Sequence, residues 1–244
     1  MAQSQERGAV KLMSAPKKVA IVQSNYIPWK GYFDLINMVD EFVLYDDMQY
    51  TRRDWRNRNC IKTPNGLEWL TIPVDVKGKY FQKIRETRVS DPDWAKAHWK
   101  TLSHNYAKAA CFAELRELFE ELYLGCREEL LSRINLRFIE AVCRILGIRT
   151  KLSWSMDYEL VDGKTERLVG LCKSTRATHY VSGPSARDYM DERLFEQEGI
   201  AVSYIDYAGY PEYAQLHGAF EHGVTILDLI FNQGRNAPRF MKSF

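Results

Sequence analysis

The chain has 244 residues, which suits one or two domains at the usual ~100–200 residues per domain. Its 45% hydrophobic and 27% charged residues are typical of a globular protein with a core. The formal net charge is only +2, so composition does not indicate a general nucleic-acid or membrane binder, and any electropositive surface has to be local.

The cysteines and the N-terminal segment indicate the compartment. The five cysteines include no CxxC pair, and an odd number argues against a disulfide framework, so we expect reduced thiols in a cytoplasmic protein. Residues 1–17 are polar and lack the apolar stretch of a signal peptide, so we expect a disordered tail there. No run reaches the ~20 apolar residues that span a bilayer, so we expect no membrane insertion.

Two polar loops follow the strands of the first predicted strand–helix–strand unit. An apolar, β-branched run at residues 19–22 predicts a buried strand, helical spacing begins at Gly31, and a second apolar run at residues 42–45 predicts its parallel partner. Ligands of an open α/β sheet bind beyond the carboxyl ends of its strands. We therefore expect the functional site in the polar loops at residues 23–30 and 46–59.

The rest of the chain predicts a helical block followed by alternating strands and helices. An apolar run at residues 68–74 predicts a strand. Periodic apolar residues and stop signals predict helices from Asp93, over 112–124 and over 127–146. Later strands are predicted at 151–155, 179–182 and 201–205, with helices at 165–176 and 225–232. We expect one α/β domain over residues 18–244, with a mostly parallel sheet flanked by helices and a helical insertion at about 93–147.

The loop after the second predicted strand combines arginines with tryptophan and asparagine. Guanidinium groups bind phosphate in a bidentate manner and tryptophan stacks on a base or sugar face, which favours the pyrophosphate of a nucleotide sugar. The alternative is a solvated loop whose arginines are neutralised by Asp46, Asp47 and Asp54. Adjacent carboxylates on an extended chain point to opposite faces, so structural pairing is preferred over Mg²⁺ binding, and we expect no metal site.

Further binding residues are expected at the end of a later strand, where Ser182 and Gly183 could offer N–H groups to an anion. The residues that we expect to bind substrate are Gln23, Asn25, Tyr26, Trp29, Asp47, Gln49, Arg53, Trp55, Arg56, Asn57, Arg58, Asn59, Ser182, Gly183 and Gln215.

His217 is the candidate general acid or base, because histidine titrates near neutrality. Asp228 could orient His217, or could be a charge at a helix N-terminus. A lone histidine is also commonly structural. Cys60 could be a nucleophile, but no paired histidine is visible, and a packed thiol is the alternative.

Several ordered motifs together resemble the WbqC-like protein family. They include Gln23, Tyr26-Ile27-Pro28-Trp29, Gly31-Tyr32-Phe33, Asp46-Asp47-Met48-Gln49-Tyr50, Trp55-Arg56-Asn57-Arg58-Asn59, Trp69-Leu70-Thr71-Ile72-Pro73-Val74, Tyr180-Val181-Ser182-Gly183, Gln215-Leu216-His217-Gly218 and Ile226-Leu227-Asp228-Leu229. The chain has Gln23-Ser24 where the family usually has Gln-Pro. The resemblance covers roughly residues 18–235 and implies a role in bacterial O-antigen or surface-glycan biosynthesis.

Three hypotheses about function remain open. The first is an enzyme that transfers an acyl or aminoacyl group from a thioester donor, coenzyme A or an acyl carrier protein, to a nucleotide-linked amino sugar, with His217 as base. The second is a non-catalytic module that binds a nucleotide sugar or a partner. The third is a nucleotidyltransferase-related enzyme, although Lys30 and Tyr32 stand around Gly31 where an HxGH pair is expected. No nucleic-acid partner and no bound cofactor are expected.

Overall fold

The computed structural model describes residues 15–244, in which three consecutive helices separate an N-terminal group of strands from a C-terminal part where strands and helices alternate. The strands and α-helices in chain order are β1 (Lys18–Val22), α1 (Lys30–Asn37), β2 (Glu41–Leu44), β3 (Arg58–Thr63), β4 (Gly66–Thr71), α2 (Trp94–Tyr106), α3 (Phe112–Leu124), α4 (Leu131–Leu146), β5 (Lys151–Trp154), α5 (Thr165–Ser174), β6 (His179–Ser182), α6 (Glu192–Gln197), β7 (Ala201–Tyr204) and α7 (Ile226–Gln233). Among the described residues, no helix is long and apolar enough to cross a membrane.

The main sheet has five strands in the order β5-β2-β1-β6-β7, and every pair is parallel. The central strand β1 has no exposed apolar residue between Val19 and Ile21, because helices cover both faces of a parallel sheet. The chain adds β2 on one side of β1 and β6 on the other. The strand order therefore reverses between β1 and β6, and this is the topological switch point. The expected mostly parallel α/β sheet is confirmed.

The central helical block is also confirmed, and it buries the aromatic residues of the loop after β1. Tyr26 is fully buried and packs edge-on against Trp94 and Phe138 at ring-centroid distances of 5.9 and 5.6 Å. Its hydroxyl lies 2.9 Å from His98 Nδ1 and 2.9 Å from the Tyr123 hydroxyl. Tyr26 therefore anchors its loop in the core and is not available to a ligand.

Helix α4 begins at Leu131, four residues later than the pattern predicts. The backbone before it is extended: the Val89 N–H donates to the Glu129 carbonyl at 2.9 Å, and the Leu131 N–H donates to the Thr87 carbonyl at 2.9 Å. The segment before the helix therefore pairs with a neighbouring strand-like segment, and this non-local pairing is invisible in the helical periodicity.

The hairpin β3–β4 differs from the prediction, which treated residues up to 59 as a loop and expected a strand only at 68–74. The sequence of strand β3 lacks the apolar pattern that predicts a strand, because polar residues occupy its buried positions. Asn59 donates from Nδ2 to the Tyr26 carbonyl at 3.1 Å, and Lys62 donates from Nζ to Gln215 Oε1 at 2.7 Å. Partners far along the chain satisfy these side chains, so an apolar alternation is not required.

The expected N-terminal tail lies largely outside the described residues, since residues 1–14 are not described. Lys17 is already held in place, because its Nζ donates to Glu41 Oε2 at 2.7 Å and to the Thr175 carbonyl at 2.7 Å. Lys17, which the sequence analysis assigned to the tail, therefore contacts the folded part of the chain.

Candidate functional site

A cavity of about 450 Å³ lies at the carboxyl ends of β1, β2 and β6, and we call it the switch-point cavity. Gln23 follows β1, Tyr45 follows β2, and Ser182 with Gly183 ends β6. These three strand ends meet because all strands of the sheet run in the same direction. The structure therefore brings three of the predicted binding residues, Gln23, Ser182 and Gly183, to one cavity.

The start of α5 supplies positive charge to the same cavity. Gly163, Lys164 and Arg167 line it, and Lys164 is exposed. Arg167 donates from Nε to the Val161 carbonyl at 2.8 Å, and its guanidinium lies 3.6 Å from the exposed Asp162. Burial raises the pKa of Tyr45, which lines the same cavity, and the charge of the Arg167 guanidinium opposes that rise.

The first turn of α5 suits an anion, because its backbone N–H groups have no partners within the helix. Asp162, beside Arg167, and Glu166, beside Gly163, balance the two basic residues in charge, but only Lys164 and Arg167 line the cavity. Sequence reasoning missed both basic residues. The sequence signal that could have predicted them is Gly163-Lys164-Thr165 at the start of a helix. Gly163 has a φ of 98° and makes the turn there.

Aromatic residues form the other wall of the switch-point cavity. Tyr189 is exposed, and Tyr207 is half-buried. The Tyr207 ring packs edge-on against Trp29 at 5.0 Å. Trp29 in turn lines a second cavity, so one aromatic pair stands between the two spaces.

The second cavity, which we call the aromatic cleft, has a volume of about 260 Å³. Its lining residues are Asn25, Pro28, Trp29, Trp55, Asn59, His222 and Gly223. The loop after β1 therefore packs against the loop before β3. The Tyr26 N–H donates to the Trp55 carbonyl at 3.0 Å between these two loops. His222 was not predicted. It is exposed, and its imidazole packs edge-on against Phe220 at 4.6 Å.

Arg56 does not line the aromatic cleft, but it binds the side chain of Asn25, which does. Its Nη1 donates to Asn25 Oδ1, and its Nε lies 3.7 Å from Asp54 Oδ2. Asn57 donates from Nδ2 to the Ile72 carbonyl at 2.8 Å and is buried. Arg56 and Asn57 are therefore engaged by protein partners, and Arg56 orients the amide that faces the cleft.

Four other predicted residues line neither cavity. Arg58 stacks over the Trp69 ring at 4.0 Å and donates to the Arg53 carbonyl at 2.5 Å. Arg53 is exposed with a φ of 58°. Gln49 donates to the Tyr80 carbonyl at 2.8 Å. Asp47 is buried and lies 3.2 Å from Arg85 Nε and 3.4 Å from Lys83 Nζ.

The expected pairing of His217 with Asp228 differs from what the structure shows. His217 Nε2 lies 3.0 Å from the Asn105 carbonyl, which makes that nitrogen the donor. Asp228 is fully buried and accepts from the hydroxyls of Tyr106 and Tyr213, both at 2.8 Å. Burial raises the pKa of Asp228. Sequence adjacency could not reveal these partners, because they come from α2 and from the loop before α7.

Gln215 and Cys60 occupy structural positions. Gln215 Oε1 accepts from the Glu221 N–H at 2.9 Å as well as from Lys62, so it closes the loop that carries His222. Burial raises the pKa of Cys60 to about 11, so the sulfur is a thiol near neutral pH. In residues 15–244, no cluster of three or more histidine, cysteine or carboxylate side chains could hold a metal ion.

Comparison with known proteins agrees with the resemblance seen in the motifs. The WbqC-like protein family matches residues 23–240. The chain is also 59% identical over 226 residues to an uncharacterized protein of Mycobacterium tuberculosis, Rv1507c, and the match covers 93% of this chain and 98% of that protein. No solved structure matches the chain. Since the family match covers residues 23–240 of a chain of 244, the chain belongs to the WbqC-like protein family.

Proposed function

We propose that the protein binds a nucleotide-linked sugar across the switch-point cavity and the aromatic cleft. The observation that carries this proposal is the position of Lys164 and Arg167 in a cavity at the reversal of strand order. Phosphates suit guanidinium and ammonium donors beside a helix N-terminus. The switch-point cavity, at about 450 Å³, is in the range of small-molecule sites, and the aromatic cleft adds about 260 Å³ beside it.

Aromatic side chains beside the two cavities also suit a nucleotide sugar. A nucleotide sugar carries a planar base and a sugar ring, and both stack on aromatic side chains. Trp29 and Tyr207 stand between the two cavities, and the exposed Trp55 also lines the aromatic cleft. A ligand with its phosphates at Lys164 therefore has aromatic surfaces along its path toward the aromatic cleft.

We further propose that the reaction is acyl or aminoacyl transfer to an amine of the bound sugar, within surface-glycan biosynthesis. The nitrogen attacks the carbonyl carbon of a thioester, a C–N bond forms, and the C–S bond breaks. His222 takes the amine proton and passes it to the leaving thiolate. The support is its position in the aromatic cleft, whereas His217 is bound to the Asn105 carbonyl.

The nucleotidyltransferase hypothesis loses support from the geometry. Lys30 is 4% exposed and donates from Nζ to the Pro211 carbonyl at 2.9 Å. The Tyr32 hydroxyl donates to the Gln23 carbonyl at 3.1 Å. Lys30 and Tyr32 are thus both buried, and each donates to a backbone carbonyl in place of a phosphate.

Calorimetry with an amino-sugar nucleotide tests the binding. Lys164→Ala and Arg167→Ala should each weaken binding about tenfold or more, because each removes a charge-assisted contact. Lys173→Ala is the matched control, since Lys173 lies in the last turn of the same helix and pairs with Glu198 at 2.8 Å. Equal affinity in all three variants would refute the phosphate site.

Turnover with acyl-coenzyme A and acyl-carrier-protein donors tests the reaction. His222→Ala should lower kcat by ~10²–10⁴, because a positioned base is lost. His217→Ala is the comparison variant, and it should keep the rate while lowering the melting temperature. Binding of the nucleotide sugar without turnover by the wild-type protein with either donor would favour the non-catalytic module and leave the binding site intact.

A further inference from the structure

An exposed loop outside both cavities carries two aromatic rings at its tip. This loop, residues 76–83, includes Tyr80 at 76% and Phe81 at 82% relative exposure. The two rings pack edge-on against each other at 4.9 Å. Scattered single apolar residues are ordinary on a protein surface, but two adjacent and almost fully exposed rings are not.

Hydrogen bonds within the loop and to the neighbouring loop keep these two rings exposed. The Lys79 N–H donates to the Val76 carbonyl and the Gln82 N–H to the Lys79 carbonyl, both at 3.2 Å. The Gln49 side chain donates to the Tyr80 carbonyl at 2.8 Å, and the Tyr50 N–H donates to the Gln82 carbonyl at 2.9 Å. Two successive turns, tied to the neighbouring loop, therefore hold the tip outward.

Positive charge surrounds the tip. Lys77, Lys79 and Lys83 belong to the loop, and Arg52 reaches its base by donating to the Val76 carbonyl at 3.2 Å. Lys79 and Lys83 each face a carboxylate, at 3.6 Å from Asp75 and 3.4 Å from Asp47. Within residues 15–244, Lys77, Arg52 and the adjacent Arg53 have no carboxylate partner within 4.0 Å. The surface around the tip of the loop is therefore basic, although the net charge of the whole chain is small.

We propose that the loop at residues 76–83 docks the protein on an anionic lipid bilayer. Aromatic rings are favoured at the level of the lipid headgroups, and lysine and arginine beside them are attracted to anionic lipids. The convex shape favours a bilayer over a protein, because protruding rings enter a fluid interface without a complementary pocket. The arrangement is peripheral, with the two rings entering the interface and the basic residues lying above it.

The docking surface adjoins the aromatic cleft through the chain itself. Arg52, which holds the base of the loop, precedes Trp55 of the aromatic cleft by three positions. A protein docked through this loop would present that side of the aromatic cleft near the bilayer. The inference does not depend on the proposed reaction, since it uses no residue that lines either cavity.

Vesicle sedimentation with the full chain tests the proposal. The probes are vesicles of phosphatidylcholine alone and of phosphatidylcholine mixed with phosphatidylglycerol in equal parts. We expect binding to the mixed vesicles only, and loss of that binding when salt rises from about 0.1 to about 1 M, which shortens the Debye length from ~10 to ~3 Å. Phe81→Ala should weaken binding about tenfold and Lys77→Ala about fivefold.

Two matched variants control for surface chemistry elsewhere. Leu118→Ala removes an apolar side chain that is 48% exposed on α3, and Lys96→Ala removes an exposed charge from α2, so neither should change binding. Because all these positions are exposed, the variants should fold normally. Absence of sedimentation with mixed vesicles, or equal binding by wild type and Phe81→Ala, would overturn the proposal. Binding to an acidic carrier protein without binding to vesicles would assign the surface to a protein partner instead.

Discussion

Glu41 allows the sharpest test of how the sheet is stabilised. This residue begins β2 at the edge opposite the cavities and is 1% exposed. Its carboxylate accepts from Lys17 Nζ at 2.7 Å, from Ser153 Oγ at 2.7 Å and from Tyr158, and it lies 2.9 Å from Lys151 Nζ. Burial alone would raise the pKa of Glu41, but these hydrogen bonds outweigh it and hold the pKa at about 2 instead of 4.5.

The magnitude follows from the difference in pKa between the folded and unfolded states. A lowered folded pKa stabilises the protein above the unfolded value of 4.5, and that stability is lost as pH falls through about 2. The difference corresponds to about 3 kcal/mol. Lys151 is 64% exposed, so solvent screens part of this contribution. We therefore expect Glu41→Gln to lower the free energy of unfolding by about 2 kcal/mol near neutral pH.

Urea unfolding at several pH values measures this difference. The gap between wild type and Glu41→Gln should fall to roughly half by about pH 3 and to roughly a tenth near pH 2, where Glu41 is half protonated in the folded state and fully protonated in the unfolded state. Glu198→Gln is the control, because the pair of Glu198 with Lys173 is exposed on both sides and should contribute less than about 1 kcal/mol. A gap that stays constant down to pH 2, or an equal loss in the control, would contradict the assigned role of Glu41.

Three further predictions concern residues near the cavities. Gly31→Ala should weaken nucleotide-sugar binding, because a Cβ at Gly31 would lie 2.4 Å from the Trp29 ring and displace it; calorimetry measures the loss, and Lys173→Ala again serves as control. Cys60 should react slowly with iodoacetamide near pH 8 in the folded protein and quickly in urea, since burial raises its pKa to about 11; fast labelling of the folded protein would contradict this. Burial lowers the pKa of Lys30 to about 8, so the charged form of Lys30 destabilises the folded state. The unfolding free energy of wild type relative to Lys30→Met should therefore rise between about pH 8 and pH 10.5, as Lys30 loses its proton in the folded state first. A difference that does not change with pH would contradict the lowered pKa.

Local sequence signals were sufficient to predict the strands of the five-stranded sheet and most of the helical block. The runs that form β1, β2 and β6 are short and apolar because both faces of a parallel sheet are buried, and that pattern is readable without a structure. Helix α3 has the predicted bounds at Phe112 and Leu124, because its periodicity and its stop at Gly125 are local. The meeting of Gln23 with Ser182 at one edge also follows from parallel strands alone.

The remaining features depend on contacts between distant parts of the chain. Strand β3 could not be predicted because Asn59 and Lys62 are satisfied by residues of other loops. The strand order, which the sequence does not state, decides that the start of α5 brings Lys164 and Arg167 to the cavity. Tertiary packing likewise gives His217 and Asp228 separate partners and places His222 in the aromatic cleft. Periodicity is a property of neighbouring residues, whereas a site is assembled by side chains whose nearest neighbours are set only when the whole domain packs.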